Sequence, residues 1–558
     1  MTTAPSEAGT ANQQRAPEHA WSNALVVERW IEAIASRPVL VLGIFTTAYL
    51  PATIWLAAHK LFWDDEFFTL YISAGKWATI LDALRTGGDQ HPPSFYFITH
   101  LASSLFGATH VTVRAASIVG FWLMSLCLYA LGRRFLSPTW SVVLLLLPCA
   151  TGHCYSYAIE ARGYSLMCGF AAAAVLCWVM ATSGDMRPIA IPTLFVSLAG
   201  ASSCHYYAIF MVGPLAVGEA VRYARSRKLD LPLWVAFSGA ILPPLLFLNF
   251  IRSAAGYSKN FWAKPSLWLA FNVYPHEAFL ALALFVGAAF AFLKFRSPAR
   301  PRHVTLPFAT MMISLALLPF AIIIIAKFIT HAFDGRYVLE STIGIFGIIC
   351  FALARLTSES AAAAAALVIL QILFFGMQLL GLKAKFALEM AELRSEYRTL
   401  YREAGNGHVA TTEITMFHRL SFYGPISFAR RISYPADAER ELRYSRFDTI
   451  DRGMLALRPW FPINTQPYGK YLREHDRFLV YGHEGPWAWL TYDLPRVGAL
   501  RRHPGTIPLF DYTREREVQT DVPSSPADEQ ATMLDKLPDE VGSVCRAFLI
   551  PSSCPDLR

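Results

Sequence analysis

Long apolar stretches separated by short polar connections fill the first two thirds of the chain. A helix crossing a membrane needs about 20 such residues. About eleven stretches meet that length: 39–58, 113–132, 139–157, 164–182, 188–204, 206–222, 232–250, 277–295, 305–329, 338–355 and 360–382. A further run, Ser94–Gly107, has about fourteen residues including His100, which suits an interfacial or re-entrant helix. Between 188 and 222 the His205-Tyr206-Tyr207 stretch leaves little room for a turn.

The pattern changes after about residue 383. Leu382–Glu403 interleaves charges with apolar positions, as an amphipathic helix leaving the membrane would. From His408 the chain is polar, with Pro and Gly breaks and the short strand-like runs HVATTEITMF, RFLVYGH and VCRAFLI. GPWAWLTYDL, after RFLVYGH, reads as part of a strand–turn–helix unit. The expected fold is mainly α: a polytopic membrane protein of about 11 transmembrane helices followed by a small α/β domain. The expected divisions are a cytoplasmic N-terminal segment (1–38), a transmembrane domain (39–382) with a large first outer loop (59–112), a connecting amphipathic helix (383–404) and an outer α/β domain (405–558).

Composition strengthens the membrane reading. Only 16% of residues are charged and 54% are hydrophobic, with a mean hydropathy of +0.35. Soluble proteins carry about a quarter charged residues, so lipid must solvate the excess apolar surface. The net charge of +8 would suit nucleic acid, but its placement says otherwise. With the N-terminus inside, about twelve Lys and Arg fall in inside connections, Arg133, Arg134, Arg222, Arg296 and Arg355 among them, against about six outside after the second span. Counting 94–107 as a span would reverse that bias. Seven cysteines lie in apolar stretches and read as core residues, whereas Cys545 and Cys554 lie in the polar C-terminus, where an oxidising compartment would let them pair. The first apolar run begins only after Arg37, unlike a cleavable secretory signal.

Five polar clusters interrupt or flank the apolar runs, all on the outside by this topology: Trp63-Asp64-Asp65-Glu66, Gln90-His91-Pro92-Pro93, Glu160-Ala161-Arg162-Gly163-Tyr164, His205-Tyr206-Tyr207 and Asp334-Gly335-Arg336-Tyr337. Ionisable groups at membrane depth are costly and mark function. Carboxylates such as Asp65, Glu66 and Glu160 are candidate bases toward a hydroxyl. Arg162 and Arg336 are candidate phosphate holders through forked hydrogen bonds. Trp63, Tyr164, Tyr206, Tyr207 and Tyr337 suit sugar faces or the interfacial belt. Each has a plainer reading. The acidic triplet is also a helix cap, His91 a turn residue, and Glu160 a partner for Arg162. Arg336 and Lys327 are placed to snorkel, His205 to anchor at the interface, and Arg114 to sit among headgroups.

The motifs WDDEFFTLYISAG (63–75), HPPSFYFITHLASSLFG (91–107), YSYAIEARGYSLM (155–167) and DGRYVLESTIGIFGI (334–348) occur in the order seen in the GT-C class of integral-membrane glycosyltransferases. The sequence resembles its bacterial branch similar to protein O-mannosyltransferases and lipid A aminoarabinose transferases. The resemblance covers about half of the membrane part. It implies a polyprenyl-phosphate-linked sugar as donor, a hydroxyl-bearing envelope acceptor, and inversion at the anomeric carbon. It also implies a bacterial inner membrane with the site and C-terminal domain periplasmic. The base it implies is Asp65 with Glu66 as partner, or Asp64 one residue away, and Glu160 matches a second outer acid. Arg162 and Arg336 match donor-phosphate positions, with Lys327 and Tyr337 as further contacts; Asp64, His91, Tyr164, His205 and Tyr206 are expected around the substrates. Gly163 departs from a pattern in which Pro is frequent. A divalent cation on Asp65, Glu66, His91 and Glu160 is compatible with the ligand types, though the spacing does not demand one. The rival classes are a lipid-linked-glycan transporter or flippase, which would place ionisable groups at mid-membrane, and a non-catalytic lipid-binding protein.

Overall fold

The structure is a computed structural model that describes residues 29–294, 304–485, 487–503 and 508–514. The run VCRAFLI, the Cys545/Cys554 pair, Arg296, Arg300 and Arg302 lie outside the described residues.

Helix α1 (Pro38–His59) leads into the first loop, which is itself helical: α2 (Asp64–Ala74), α3 (Trp77–Arg85) and α4 (Pro93–Phe106). The short run 94–107 is thus a single helix of 14 residues, opened by Pro93 at its first turn, where a missing N–H costs nothing. Helices α5 (His110–Phe135), α6 (Pro138–Ala150), α7 (Tyr164–Ser183), α8 (Arg187–Cys204) and α9 (Val212–Ser226) follow. Among the described residues four helices are long and apolar enough to cross a membrane: α1, α5, α7 and the first part of Ala361–Ala404. Two bent pairs, Pro138–Ala150 with Gly152–Ile159 (64°) and Leu306–Ala316 with Leu318–Thr330 (51°), bring the number to six if each pair is one span. Prolines account for shorter pieces elsewhere. The run 232–250 holds Pro232, Pro243 and Pro244 and is split into helices Leu231–Phe237, Leu242–Leu246 and Leu248–Ala255.

The bundle is packed tightly where the site is hung. A Cβ on Gly120 of α5 would lie 2.3 Å from the Leu166 Cα of α7, so only glycine allows these backbones to meet. The residues expected as a last span and a separate connecting helix form one helix, Ala361–Ala404, of 44 residues. At about 1.5 Å per residue it is roughly 66 Å long, twice the hydrocarbon thickness, so its charged half projects from the bundle.

That projecting helix delivers an α/β unit. Its six strands lie in the order β3-β2-β1-β4-β6-β5: β1 (Val409–Thr411), β2 (Ile432–Ala436), β3 (Thr465–Pro467) and β4 (Arg477–Tyr481) are parallel, while β6 (Leu509–Arg514) pairs antiparallel with both β4 and β5 (Gly498–Arg502). RFLVYGH contains β4, whose residues after Arg477 are all buried. HVATTEITMF is divided: three residues pair as β1, and the rest turns into helix Ile414–Tyr423. This helix packs on the first loop, where Tyr423 Oη accepts the Phe62 N–H at 2.9 Å and Arg419 Nε donates to the Phe62 carbonyl at 3.2 Å.

Candidate active site

The three acids opening α2 sit where the helix dipole favours negative charge, yet they diverge. Asp64 turns to the α/β unit. Burial pushes its carboxyl up to about 6, against a hydrogen bond from Thr415 and with the Asp65 charge adding to the rise. Glu66 is fully buried: Arg114 donates from Nε (2.7 Å) and Nη2 (2.8 Å), the Ala161 N–H donates at 2.7 Å, and Lys60 lies 3.4 Å away. Burial raises the Glu66 carboxyl, but Arg114 and Lys60 outweigh it and hold it at about 2. Arg114, expected among headgroups, is fully buried and also donates to the carbonyls of Ala57, Lys60 and Leu61. Glu66 therefore has no carboxylate face left for a substrate. Asp65 remains partly open, its side chain 24% exposed, and Oδ2 accepts from Arg336 Nη1 at 2.6 Å.

Arg162 does not pair with Glu160. Its guanidinium forks onto Asp89 (2.5 and 3.2 Å), donates to the Asp65 carbonyl (3.2 Å) and Thr69 Oγ1 (3.3 Å), and reaches His91 Nδ1 at 2.6 Å. His91 Nδ1 also lies 3.2 Å from Asp89 Oδ1, and its Nε2 faces Tyr164 Oη at 3.2 Å. Burial and then the Arg162 charge lower the His91 pKa, against the raising effect of Asp89. Asp89 is pushed up by burial, but Arg162 and His91 prevail and hold it well below the usual carboxylate range. Gly163 stands at a close approach: a Cβ there would lie 2.7 Å from the Cys204 carbonyl oxygen, which explains why proline is not accommodated.

Glu160 is buried with Oε1 lacking a hydrogen bond, and burial, opposed by Lys60, raises its carboxyl to about 7. The Arg336 guanidinium is framed by three rings, at 5.6 Å from Trp63, 5.7 Å from Tyr164 and 5.6 Å from Trp262. Behind it, His205 contacts Tyr337 (5.0 Å between ring centroids) and His91 (5.2 Å). Tyr207, whose hydroxyl meets Thr330 and the Ala332 carbonyl, closes that wall. Tyr206 is partly buried and its hydroxyl has no partner among the described residues. Lys327 is exposed beside exposed Phe328 and Ile329 and joins none of these contacts.

Thus the structure gathers Asp65, Glu160, Arg162, Arg336, His91, Tyr164, His205 and Tyr337, with Asp64 turned aside, Glu66 buried beneath and Lys327 apart. The proposed cation set does not fit. Glu66 is consumed by Arg114 and Ala161, and both His91 nitrogens are engaged, leaving Asp65 and Glu160. Among the described residues no group of three or more His, Cys, Asp or Glu could hold a metal. Sequence reasoning missed Asp89, Lys60 and Trp262. Asp89 had a signal, an acid two residues before His91 in a short polar loop. Trp262, in the loop before Ala263–Ser266, had none.

The bent bundle and the helical first loop resemble the GT-C fold. The chain resembles this class in sequence too: residues 90–247 match the family model of dolichyl-phosphate-mannose-protein mannosyltransferases. A search of curated proteins finds no match. ArnT from Cupriavidus metallidurans in the apo state superposes with a TM-score of 0.53 at 12% identity, over 84% of this chain and 97% of that one. The same protein bound to undecaprenyl phosphate gives 0.52 at 12% identity, over 85% and 98%.

Proposed function

We propose that the protein is a multi-pass glycosyltransferase that moves a sugar from a polyprenyl-phosphate donor to a hydroxyl of an envelope acceptor on the periplasmic side. The observation that carries this is Asp65 beside Arg336: one partly open carboxylate next to a ring-framed cation. In the reaction, Asp65 takes the proton from the acceptor hydroxyl as its oxygen attacks the anomeric carbon. The bond to the phosphate oxygen breaks on the opposite face, so the configuration inverts, and the polyprenyl phosphate leaves with the electron pair. Arg336 has one Asp65 bond to exchange for a phosphate oxygen, which frees Asp65 as the donor arrives. The undecaprenyl phosphate bound to the structurally similar ArnT supports a lipid-phosphate donor.

The remaining groups divide by what they touch. Arg162, Asp89 and His91 fasten the loops and hold the Asp65 backbone, so Arg162 is a positioning residue. Glu66 and Arg114 anchor the base of α2. Eleven spans, with the four to six long helices completed by shorter kinked ones, keep the site and the α/β unit on one face.

The test is transfer in vesicles containing a polyprenyl-phosphate sugar, with mass spectrometry of envelope glycans in cells. Asp65→Asn at normal protein level should abolish glycan modification. Unchanged glycans would leave a transport or lipid-binding role, and a product with retained anomeric configuration would exclude the single displacement.

A further inference from the structure

A cavity of about 800 Å³ lies at the opposite end of the bundle from Asp65. Helix direction fixes this. Helix α1 ends at the Asp65 loop, and the cavity is lined by its start, Pro38 and Leu42. Helix α5 begins beside Glu66, where Arg114 is bonded, and reaches the cavity at Arg133 and Arg134. Helix α7 starts with Tyr164 in the site and reaches the cavity at Val179 to Ser183. From Arg114 to Arg134 the helix rises roughly 30 Å at 1.5 Å per residue, one hydrocarbon thickness.

The walls and the mouth differ in chemistry. Leu42, Leu126, Leu176 and Met180 supply apolar walls. At the mouth Arg133 donates to the Ala35 carbonyl at 3.2 Å, and Arg134, still 26% exposed, pairs with Asp185 at 2.6 Å. Exposed Arg37 precedes the lining residue Pro38. Two arginines and one aspartate, Arg133, Arg134 and Asp185, thus stand at the edge of an apolar slot. Basic pockets between membrane helices at the boundary hold anionic headgroups, and guanidinium groups suit phosphate oxygens.

The geometry points to a lipid site here: the cavity takes an anionic phospholipid of the leaflet opposite the reaction. Its phosphate sits on Arg133 and Arg134, and one acyl chain lies along Leu126, Leu176 and Met180. The site rests on the membrane placement of the bundle and not on the transfer reaction, so the two readings fail separately.

The test uses the full chain, purified in detergent and incubated with equal phosphatidylglycerol and phosphatidylethanolamine, with native mass spectrometry of the lipids retained. The protein should retain phosphatidylglycerol over phosphatidylethanolamine by roughly tenfold. Arg133→Gln with Arg134→Gln should remove that preference. Met180→Trp, which fills the slot and leaves both arginines, should lower retention of the lipid, and decides alone if the double variant does not fold. Excess undecaprenyl phosphate should leave phosphatidylglycerol in place. Equal retention of the two lipids, an unaltered preference in folded variants, or displacement by the prenyl lipid would overturn the assignment.

Discussion

Arg336 and Asp65 stand 2.6 Å apart although 271 positions separate them in the chain. The pair joins the first loop to the turn before helix Ser341–Leu356, and its two members have unequal freedom. Asp65 Oδ2 is held by Arg336, whereas the Arg336 Nε makes no hydrogen bond among the described residues. Asp65→Asn should lower the transfer rate by about 10²- to 10⁴-fold, the usual contribution of a general base. Arg336→Lys retains charge but loses the fork, so it should weaken use of the lipid donor more than use of the acceptor. Steady-state transfer with each substrate varied separates the two.

The pH dependence of stability should carry the mark of Glu160. Its folded carboxyl lies at about 7 against an ordinary 4.5, so between these values the folded state binds more protons than the unfolded one. Stability from this group therefore falls as pH rises from about 4.5 to 7. Glu160→Gln removes that loss. Its melting temperature should gain on the wild type between pH 5 and pH 8, and an equal difference at both pH values would refute the buried, unpaired carboxyl.

Gly163 should tolerate no side chain. Gly163→Ala places a methyl 2.7 Å from the Cys204 carbonyl oxygen, and such overpacking costs about 1–3 kcal/mol. Gly163→Pro should be at least as severe. Thermal melting in detergent checks both, and a neutral alanine variant would show that the two segments separate at little cost.

The α/β unit should reach the chemistry through the first loop. Tyr423→Phe removes the hydroxyl that accepts the Phe62 N–H at 2.9 Å, a loss of about 1 kcal/mol. Transfer should fall because Phe62 lies three residues before Asp65, while tryptic release of the C-terminal part should become faster. Unaltered activity with faster cleavage would confine the contact to docking.

Much of this was legible in the chain. Apolar run length gave the membrane helices α1, α5 and α7, and the polar clusters at their ends gave most of the candidate site. The finer assignments were not legible. Asp64, Asp65 and Glu66 are adjacent acids, and nothing in their order says that one meets Arg336, one is consumed by Arg114 and one turns to Thr415. Arg114 read as a headgroup anchor because its partner lies 48 positions away. The prolines of 232–250 were visible, but how far they break the run depends on what replaces the lost backbone bonds.

Local pattern by itself determined that this protein folds largely as apolar helices with a small mixed sheet after them, because hydrophobic periodicity and run length act over tens of residues. Only the tertiary structure decided which carboxylate stays open and which arginine is spent on fastening loops. Those outcomes depend on desolvation and pairing between segments brought together from distant parts of the chain, and a charge in sequence carries no record of the partner that will neutralise it.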